Sequence, residues 1–318
     1  NASIPCYCRP TEIVHDLDAS PFPARLIYSS GLYNPMPLMI SLPDMPGERI
    51  ITARGCNWAK CRFCYQSGKY APCYRRRSPE NVIKELKMLV DEHRAQFIFF
   101  ADDNFLYDEA WVSLFCDLMD RERIAIKWSA FGRVDTVTET MINRAAESGC
   151  VHVSYGFESG NQETLNLMRK GITLTQSKKV VAWTKKAGIE IAAFMMIALP
   201  RETPQMTENT IRFAIELDTD FVKFDPYHVL EGTPLAEIAL REGHYVEHDN
   251  ESFLLPTYVP NSYKNAAQIN ALMRSAYIKF YFRPRYILRA LWRMRNPGVF
   301  RNYVNKLWFG LQIILFNS

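Results

Sequence analysis

From residue 50 the chain alternates short apolar runs with longer segments of helical period, and few folds accept that alternation. "IITAR" (50–54), "QFIFFAD" (96–102), "IAIKWSAF" (124–131), "CVHVSYGF" (150–157), "IEIAAFMMIAL" (189–199) and "DFVKFDPY" (220–227) have the length and apolar content of buried strands. Between them lie "SPENVIKELKMLVDEH", "DEAWVSLFCDLMDR", "VTETMINRAAES", "TLTQSKKVVAWTKKAG" and "TPQMTENTIRFAIEL". In the first of these, Val82, Ile83, Leu86, Leu89 and Val90 recur at helical spacing. Ser78 stands at the N-cap and Pro79 at the first helical position, while Gly188 closes the fourth helix. Strands joined through helices are parallel, because a parallel pair needs a crossover of a dozen or more residues. About six such units are too few for an eight-fold barrel. They suit an open, partial barrel or a doubly wound sheet of the α/β class.

The flanks differ from this body. Residues 1–49 are rich in Pro and turn signals ("CRP", "SPFPAR", "YNPMPLM", "LPDMPGE") and read as an extended connector. The alternating body spans 50–245, and 246–318 read as a basic helical extension. From Ser252 to Ser318 there is no Asp or Glu but ten Lys or Arg, which leaves 28 basic against 34 acidic residues elsewhere, a net of −6. A tail so charged implies an acidic partner: the body itself, an anionic membrane, or nucleic acid. In 299–318, Val299, Phe300, Tyr303, Val304, Leu307, Trp308, Leu311, Ile314 and Leu315 recur at helical spacing, which points to a membrane-surface helix or a cover over the open side of the barrel. No run reaches the roughly 20 apolar residues of a membrane span. With 48% hydrophobic residues the chain can build a full core, and eight cysteines in 318 residues are no disulfide framework. These features place it in a reducing, cytoplasmic compartment, with peripheral contact at the inner membrane face as an option through 299–318. The Asn1 start reads as a piece of a longer protein.

In parallel α/β folds the ligand site lies at the carboxyl ends of the strands. Five features fall there: the cysteine loop, Asp102-Asp103, Arg133, Glu158-Ser159 and Pro200-Arg201-Glu202. The loop, "RGCNWAKCRFCY" (54–65), holds Cys56, Cys61 and Cys64 at C-x4-C-x2-C spacing. A structural zinc site generally supplies four ligands, and a ferredoxin-type cluster four cysteines. Three thiolates suit a [4Fe–4S] cluster with one iron left for a small-molecule ligand, and Arg54, Lys60 and Arg62 would favour the thiolate form. Asp102-Asp103 have a second reading as caps of the helix near Asp108, Arg133 as a surface ion-pair residue, and Glu158 as a cap. Cys116 and Cys150 read as small core residues, and "AAFMMIAL" as core rather than a cofactor box.

These segments together resemble the radical SAM enzymes, whose motif C-x3-C-x-aromatic-C follows the first strand of a partial (β/α)6 barrel. Phe63 fills the aromatic place; the first gap is one residue longer, as in the family's cobalamin-dependent branch. "FADDNF", "GCVHVSYGFESGNQETLNLMRKGIT", "AGIEIAAFMMIALPRET" and "EGTPLAEIALREG" resemble the segments at the second, fourth, fifth and sixth strands. Ala198 stands where the fifth-strand motif usually has Gly. The resemblance runs from about Leu17 to Arg289.

What the resemblance implies is a [4Fe–4S] cluster on Cys56, Cys61 and Cys64 that reductively cleaves S-adenosylmethionine to a 5′-deoxyadenosyl radical. Phe63 would pack near the adenine, Glu158 and Ser159 would reach the ribose or the methionine end, and Asp102, Asp103 and Arg133 are candidates for the methionine end. An external donor of flavodoxin or ferredoxin type would supply the electron. "EIVHDLDASPFPARLIY" and "FYFRPRYILRAL" resemble the branch with an N-terminal cobalamin domain, which includes methyltransferases, anaerobic porphyrin cyclases and hopanoid-processing members. No D-x-H-x-x-G cobalamin signature occurs in the chain, so cobalamin could come only from a domain outside it. The implied reaction is methylation or cyclisation/rearrangement at an unactivated carbon of an apolar or lipid-like small molecule. An RNA-modifying enzyme and a non-catalytic iron–sulfur or zinc protein are the alternatives. The helical tail, without a stacking platform, disfavours nucleic acid.

Overall fold

The structure, a computed structural model, describes residues 13–25, 39–43, 45–67, 73–246 and 255–301. Residues 1–12 and 26–38 of the expected connector, and 302–318 of the expected C-terminal helix, lie outside the described residues.

The alternation folds as expected. A six-stranded parallel sheet contains β1 (Gly47–Ile50), β4 (Phe97–Phe100), β5 (Lys127–Gly132), β6 (Cys150–Glu158), β7 (Glu190–Ile197) and β8 (Phe221–Pro226), in that spatial order. The crossovers carry α1 (Pro79–Asp91), α2 (Glu109–Arg121), α3 (Glu139–Glu147), the short α4 (Gln162–Leu167) with α5 (Leu174–Lys186), and α6 (Pro204–Leu217). Their starts are set locally. Ser78, Asp108, Thr138, Thr173 and Thr203 each accept a backbone N–H of the first turn, which satisfies a donor that has no helical partner. Asp108, not Asp102 or Asp103, caps α2.

The first strand sits earlier than the apolar pattern indicates. The sheet begins at Gly47, and the "TAR" half of "IITAR" supplies β2 (Ala53–Arg54), which pairs antiparallel with β3 (Arg75–Arg76). Polar Glu48 and Arg49 obscure this edge strand. α4 was also unforeseen, being too short to show a period.

One sheet face is closed by α1–α6. Ile98, Phe100, Trp128, Ala130, Val153, Tyr155, Ile191, Ala193, Met195 and Phe224 are buried there. Phe100, Phe105, Phe115 and Trp128 meet in edge-to-face and stacked contacts of 4.3–6.0 Å. Cys116 and Cys150 belong to this core, where burial pushes the Cys116 thiol up to about 11. The opposite face carries half-buried Phe99, Phe131, Phe194, Met196, Lys223 and Asp225.

The open side of the sheet is covered by α8 (Ala266–Tyr281). The Tyr277 hydroxyl donates to the Phe224 carbonyl and accepts from its N–H, both at 3.1 Å; Tyr281 does the same at Val222, at 2.8 and 3.0 Å. Two side chains thus satisfy backbone groups that an exposed edge strand would offer to another chain. Before α8 lie α7 (Pro234–Arg241) and the antiparallel pair β9 (Gly243–Tyr245) and β10 (Tyr258–Pro260), so the C-terminal region is not helical throughout. After it comes α9 (Pro284–Arg293). Much of the positive charge of this region is met by the body. Asp218, the left-handed C-cap of α6, faces Arg283, Arg285, Arg289 and Lys185 within 3.3–3.8 Å. Arg293 contacts Asp220 at 2.8 Å and Glu190 at 3.2 Å. Among the described residues no helix is long and apolar enough to cross a membrane.

The described connector is docked on α1. Asp18 accepts from the Ser78 N–H at 2.9 Å, and Arg25 meets Glu85, itself also paired with Arg77, at 2.6 Å.

Candidate active site

The cysteine loop follows β2 and is pinned by main-chain bonds on several sides. The Arg62 N–H donates to the Met168 carbonyl at 2.8 Å, and the Arg62 carbonyl accepts from the Leu235 N–H at 2.9 Å. The Ser67 hydroxyl bonds the carbonyls of Cys61 and Cys64. Trp58 donates its indole N–H to the Arg169 carbonyl at 3.0 Å, and Arg133 lies over its ring at 5.0 Å. Gly171 takes a left-handed φ of +78° against that indole; a Cβ there would collide with the ring.

Cations surround the loop. The Arg133 guanidinium lies 3.6 Å from the Cys61 sulfur and donates to the Lys170 carbonyl at 2.6 Å. Lys170, buried, pairs with buried Glu158 at 2.6 Å and stands 5.7 Å from the Phe63 ring centroid. Gly156 leaves room for this pair, since a Cβ would run into both partners. Burial pushes the Cys61 thiol up, while Lys170 and Arg133 pull the other way. Burial likewise raises Cys64, and the nearby Cys61 and Cys56 add to the effect. Cys56, Cys61, Cys64, Phe63, Arg133 and Glu158 are therefore gathered at one mouth of the sheet.

The other expected residues are turned elsewhere. Both oxygens of Asp102 are held by Thr52 and Ala53: the Thr52 N–H at 2.6 Å, the Ala53 N–H at 2.8 Å, and the Thr52 hydroxyl. Burial raises its carboxyl against these donors. Asp102 thus shapes the turn from β1 into the loop. Asp103 accepts from Gln66 at 2.7 Å, just behind Cys64. Ser159 is fully buried, and its hydroxyl donates to Glu202 at 3.2 Å and meets the Thr210 hydroxyl at 3.2 Å. A bulge after Gly156 and a φ of +64° at Glu158 produce this turn.

The donor set suits an iron–sulfur cluster. Each cysteine of a cluster takes its own iron, so three sulfurs need not converge on one point. Among the described residues no three His, Cys, Asp or Glu side chains do converge as for a single ion. The buried Nε of Arg133 has no hydrogen-bond partner among the described residues, and such a donor suits an anionic group beside it.

The sequence profile of the radical SAM superfamily matches residues 50–214, just over half of the chain, a stretch that includes Cys56, Cys61, Cys64, Arg133, Glu158 and Lys170. The chain belongs to the radical SAM superfamily. It is 30% identical over 282 residues to an uncharacterized methyltransferase of Pyrococcus horikoshii, which covers 88% of this chain and 60% of that protein. It is 26% identical over 294 residues to the anaerobic magnesium-protoporphyrin IX monomethyl ester cyclase of Cereibacter sphaeroides, covering 87% and 46%. The chain thus spans about half the length of these relatives. Among solved structures it resembles the radical S-adenosylmethionine methyltransferase TsrM of Kitasatospora setae, solved with cobalamin and a [4Fe–4S] cluster, at 19% identity and TM-score 0.57 over 70% of this chain and 46% of that one. That likeness concerns the fold.

Within this radical SAM barrel, Lys170, Trp58 and Glu202 had no assigned role from sequence. Lys170 stands in the "MRKG" that ends the fourth-strand motif, but its burial against Glu158 has no local signal. Glu202 was visible on the rim only. The structure buries it under donors: the Leu199 N–H and the hydroxyls of Thr164 and Ser159, at 3.1, 3.1 and 3.2 Å. Burial outweighs these donors and pushes its carboxyl from the ordinary 4.5 up to about 7.

A pH dependence follows. The folded state keeps the Glu202 proton in a range where the unfolded chain has lost it, so this contribution to stability is complete below about 4.5. It is lost as pH rises through about 7. The difference amounts to about 3 kcal/mol. In Glu202→Gln the amide can donate to Ser159 and Thr164 while its oxygen still accepts from Leu199. Urea unfolding from pH 5 to 8 should show the variant gaining on the parent chain by about that amount. Equal slopes in both proteins would rule out Glu202 as the titrating group.

Proposed function

We propose that this chain is the catalytic barrel of an enzyme that acts on an unactivated carbon of an apolar small molecule, by methylation or by cyclisation. The observation that carries the reading is the gathering of Cys56, Cys61 and Cys64 with Arg133, Lys170 and Glu158 at one mouth. When bound, a [4Fe–4S] cluster supplies the electron that cleaves S-adenosylmethionine to a 5′-deoxyadenosyl radical.

The chain's own residues have four tasks. Cys56, Cys61 and Cys64 would hold the cluster, and Arg133 and Lys170 would offset its negative charge. Phe63 offers an aromatic surface for the adenine. Glu158 offers a carboxylate for the ribose or the amino group of the methionine part. Lys170, 2.6 Å from Glu158 and buried with it, holds that carboxylate in a fixed orientation. Asp103 is retained only as a candidate through Gln66, whereas Asp102 and Ser159 act as positioning residues for the loop and the strand end.

The sheet face turned away from the helices supports an apolar substrate. Phe99 and Phe131 are in contact at 5.4 Å and Phe131 and Phe194 at 6.1 Å, with Met196 beside them on β7. This aromatic strip suits a carbon skeleton, while Lys223 and Asp225, paired at 2.9 Å on the β8 end of the same face, offer polar contacts beside it. Cobalamin would have to reach the mouth from outside these 318 residues. An external flavodoxin- or ferredoxin-type protein is the expected electron donor. The RNA-modifying reading is weakened because Arg283, Arg289 and Arg293 already face carboxylates of the body.

Anaerobic reconstitution with iron and sulfide, then dithionite and S-adenosylmethionine, tests the core of this reading. About four irons per chain and formation of 5′-deoxyadenosine with methionine are expected. Stoichiometric zinc and no cleavage would replace it by a structural metal site.

A further inference from the structure

α9 is oriented the wrong way round for a helix on a water-exposed surface. Such a helix ordinarily turns its apolar stripe inward and its charges outward. In α9 the inward arc carries Arg289 and Arg293 with Tyr286 and Ala290, and both arginines are tied to Asp218, Asp220 and Glu190. The outward arc carries Ile287, Leu288, Leu291 and Trp292, of which Leu288 is 68% and Trp292 66% exposed. Phe282 before the helix and Phe300 after it are also exposed. The body's carboxylates have drawn the arginines in, and the helix period then forces the large apolar side chains out.

A contiguous apolar arc on this scale marks an interaction surface. Its rim indicates the partner. Arg285, 85% exposed although its Nε lies 3.8 Å from Asp218, and Arg295 flank the arc on the same stripe as Leu288 and Trp292. The whole segment from residue 252 onwards supplies no carboxylate. An apolar arc with a Trp and two exposed arginines flanking it matches an anionic bilayer, where the indole sits at the headgroup level and the arginines meet lipid phosphates.

We propose that α9 docks the protein on anionic membrane through Leu288, Leu291 and Trp292, with Arg285 and Arg295 at the headgroups. This surface is distinct from the cysteine mouth and stands whether or not the proposed chemistry does.

The test is co-sedimentation of the full reconstituted chain with phosphatidylglycerol/phosphatidylcholine vesicles and with pure phosphatidylcholine vesicles. Binding to the anionic vesicles only, weakening as salt rises, is expected. Replacing Leu288, Leu291 and Trp292 together by Ser should lower partitioning on the order of tenfold or more at an unchanged melting temperature. Arg285→Gln with Arg295→Gln, both at exposed positions, should remove the preference for anionic lipid and serves if the serine variant fails to fold. Absence of vesicle binding overturns the proposal. So does binding that survives the serine substitutions but disappears when the chain is cut after Arg301, since residues 302–318 would then carry it. A dimer that the serine variant dissolves, without lipid binding, assigns the arc to a second copy and overturns it as well.

Discussion

Cys61→Ala should leave the chain folded and remove the cluster. Cys61 is buried at the centre of the loop, 3.6 Å from the Arg133 guanidinium. It belongs to none of the apolar clusters that hold the sheet and helices together. Its loss leaves two loop thiolates, and a cluster held by two of its three cysteines has no third anchor. Iron after reconstitution should fall from about four per chain to near zero. Formation of 5′-deoxyadenosine should cease, while far-ultraviolet circular dichroism and the unfolding midpoint stay near those of the parent apoprotein. A full, reducible cluster in the variant would sink the ligand assignment. Cys116→Ala is the matched control: that thiol sits in the core between the sheet and its helices, away from the cysteine loop, so iron content should be unaffected.

Glu158→Gln should produce two separable losses. The substitution keeps the shape but removes the charge that faces Lys170 at 2.6 Å, with both side chains about nine-tenths buried. A buried ammonium without its partner costs about 3–5 kcal/mol when fully desolvated, and roughly 2–4 kcal/mol at this slight exposure. Stability in urea should fall by that amount. Affinity for S-adenosylmethionine should also fall, on the order of ten- to a hundred-fold, if the carboxylate makes a charge-assisted contact with it. The double variant Glu158→Gln/Lys170→Met separates the effects. Removing the orphaned cation should restore most of the stability, and the affinity should remain low. Should both recover, Glu158 acts only as the partner of Lys170.

The features legible in the sequence were those with a local cause. Ser78 followed by Pro79, and Thr173 before "LTQ", start helices because side chains a few residues away satisfy the first N–H groups. The sixfold alternation set the class and the direction of the strands. The spacing of Cys56, Cys61 and Cys64 set the donor type. β1 was misplaced by the same logic, since an edge strand containing Glu48 and Arg49 carries too little apolar signal to be seen.

Which way a rim residue turns was decided only in three dimensions. Asp102 and Asp103 are neighbours, yet one holds Thr52 and Ala53 and the other Gln66. Glu158 and Ser159 are neighbours too, but the bulge after Gly156 sends the first toward Lys170 and the second toward Glu202 and Thr210. Partners 12 to 51 residues away settle these choices. The inverted face of α9 has the same origin: its period was readable, but its rotation depends on Asp218, Asp220 and Glu190 drawing Arg289 and Arg293 inward. Periodicity and spacing determined this protein's fold class, its helix starts and which loop carries the candidate cysteine donors, because those depend on residues only a few positions apart. Tertiary structure alone decided burial, charge pairing and side-chain direction at the mouth and on α9, because burial and electrostatics depend on whatever distant chain packs alongside.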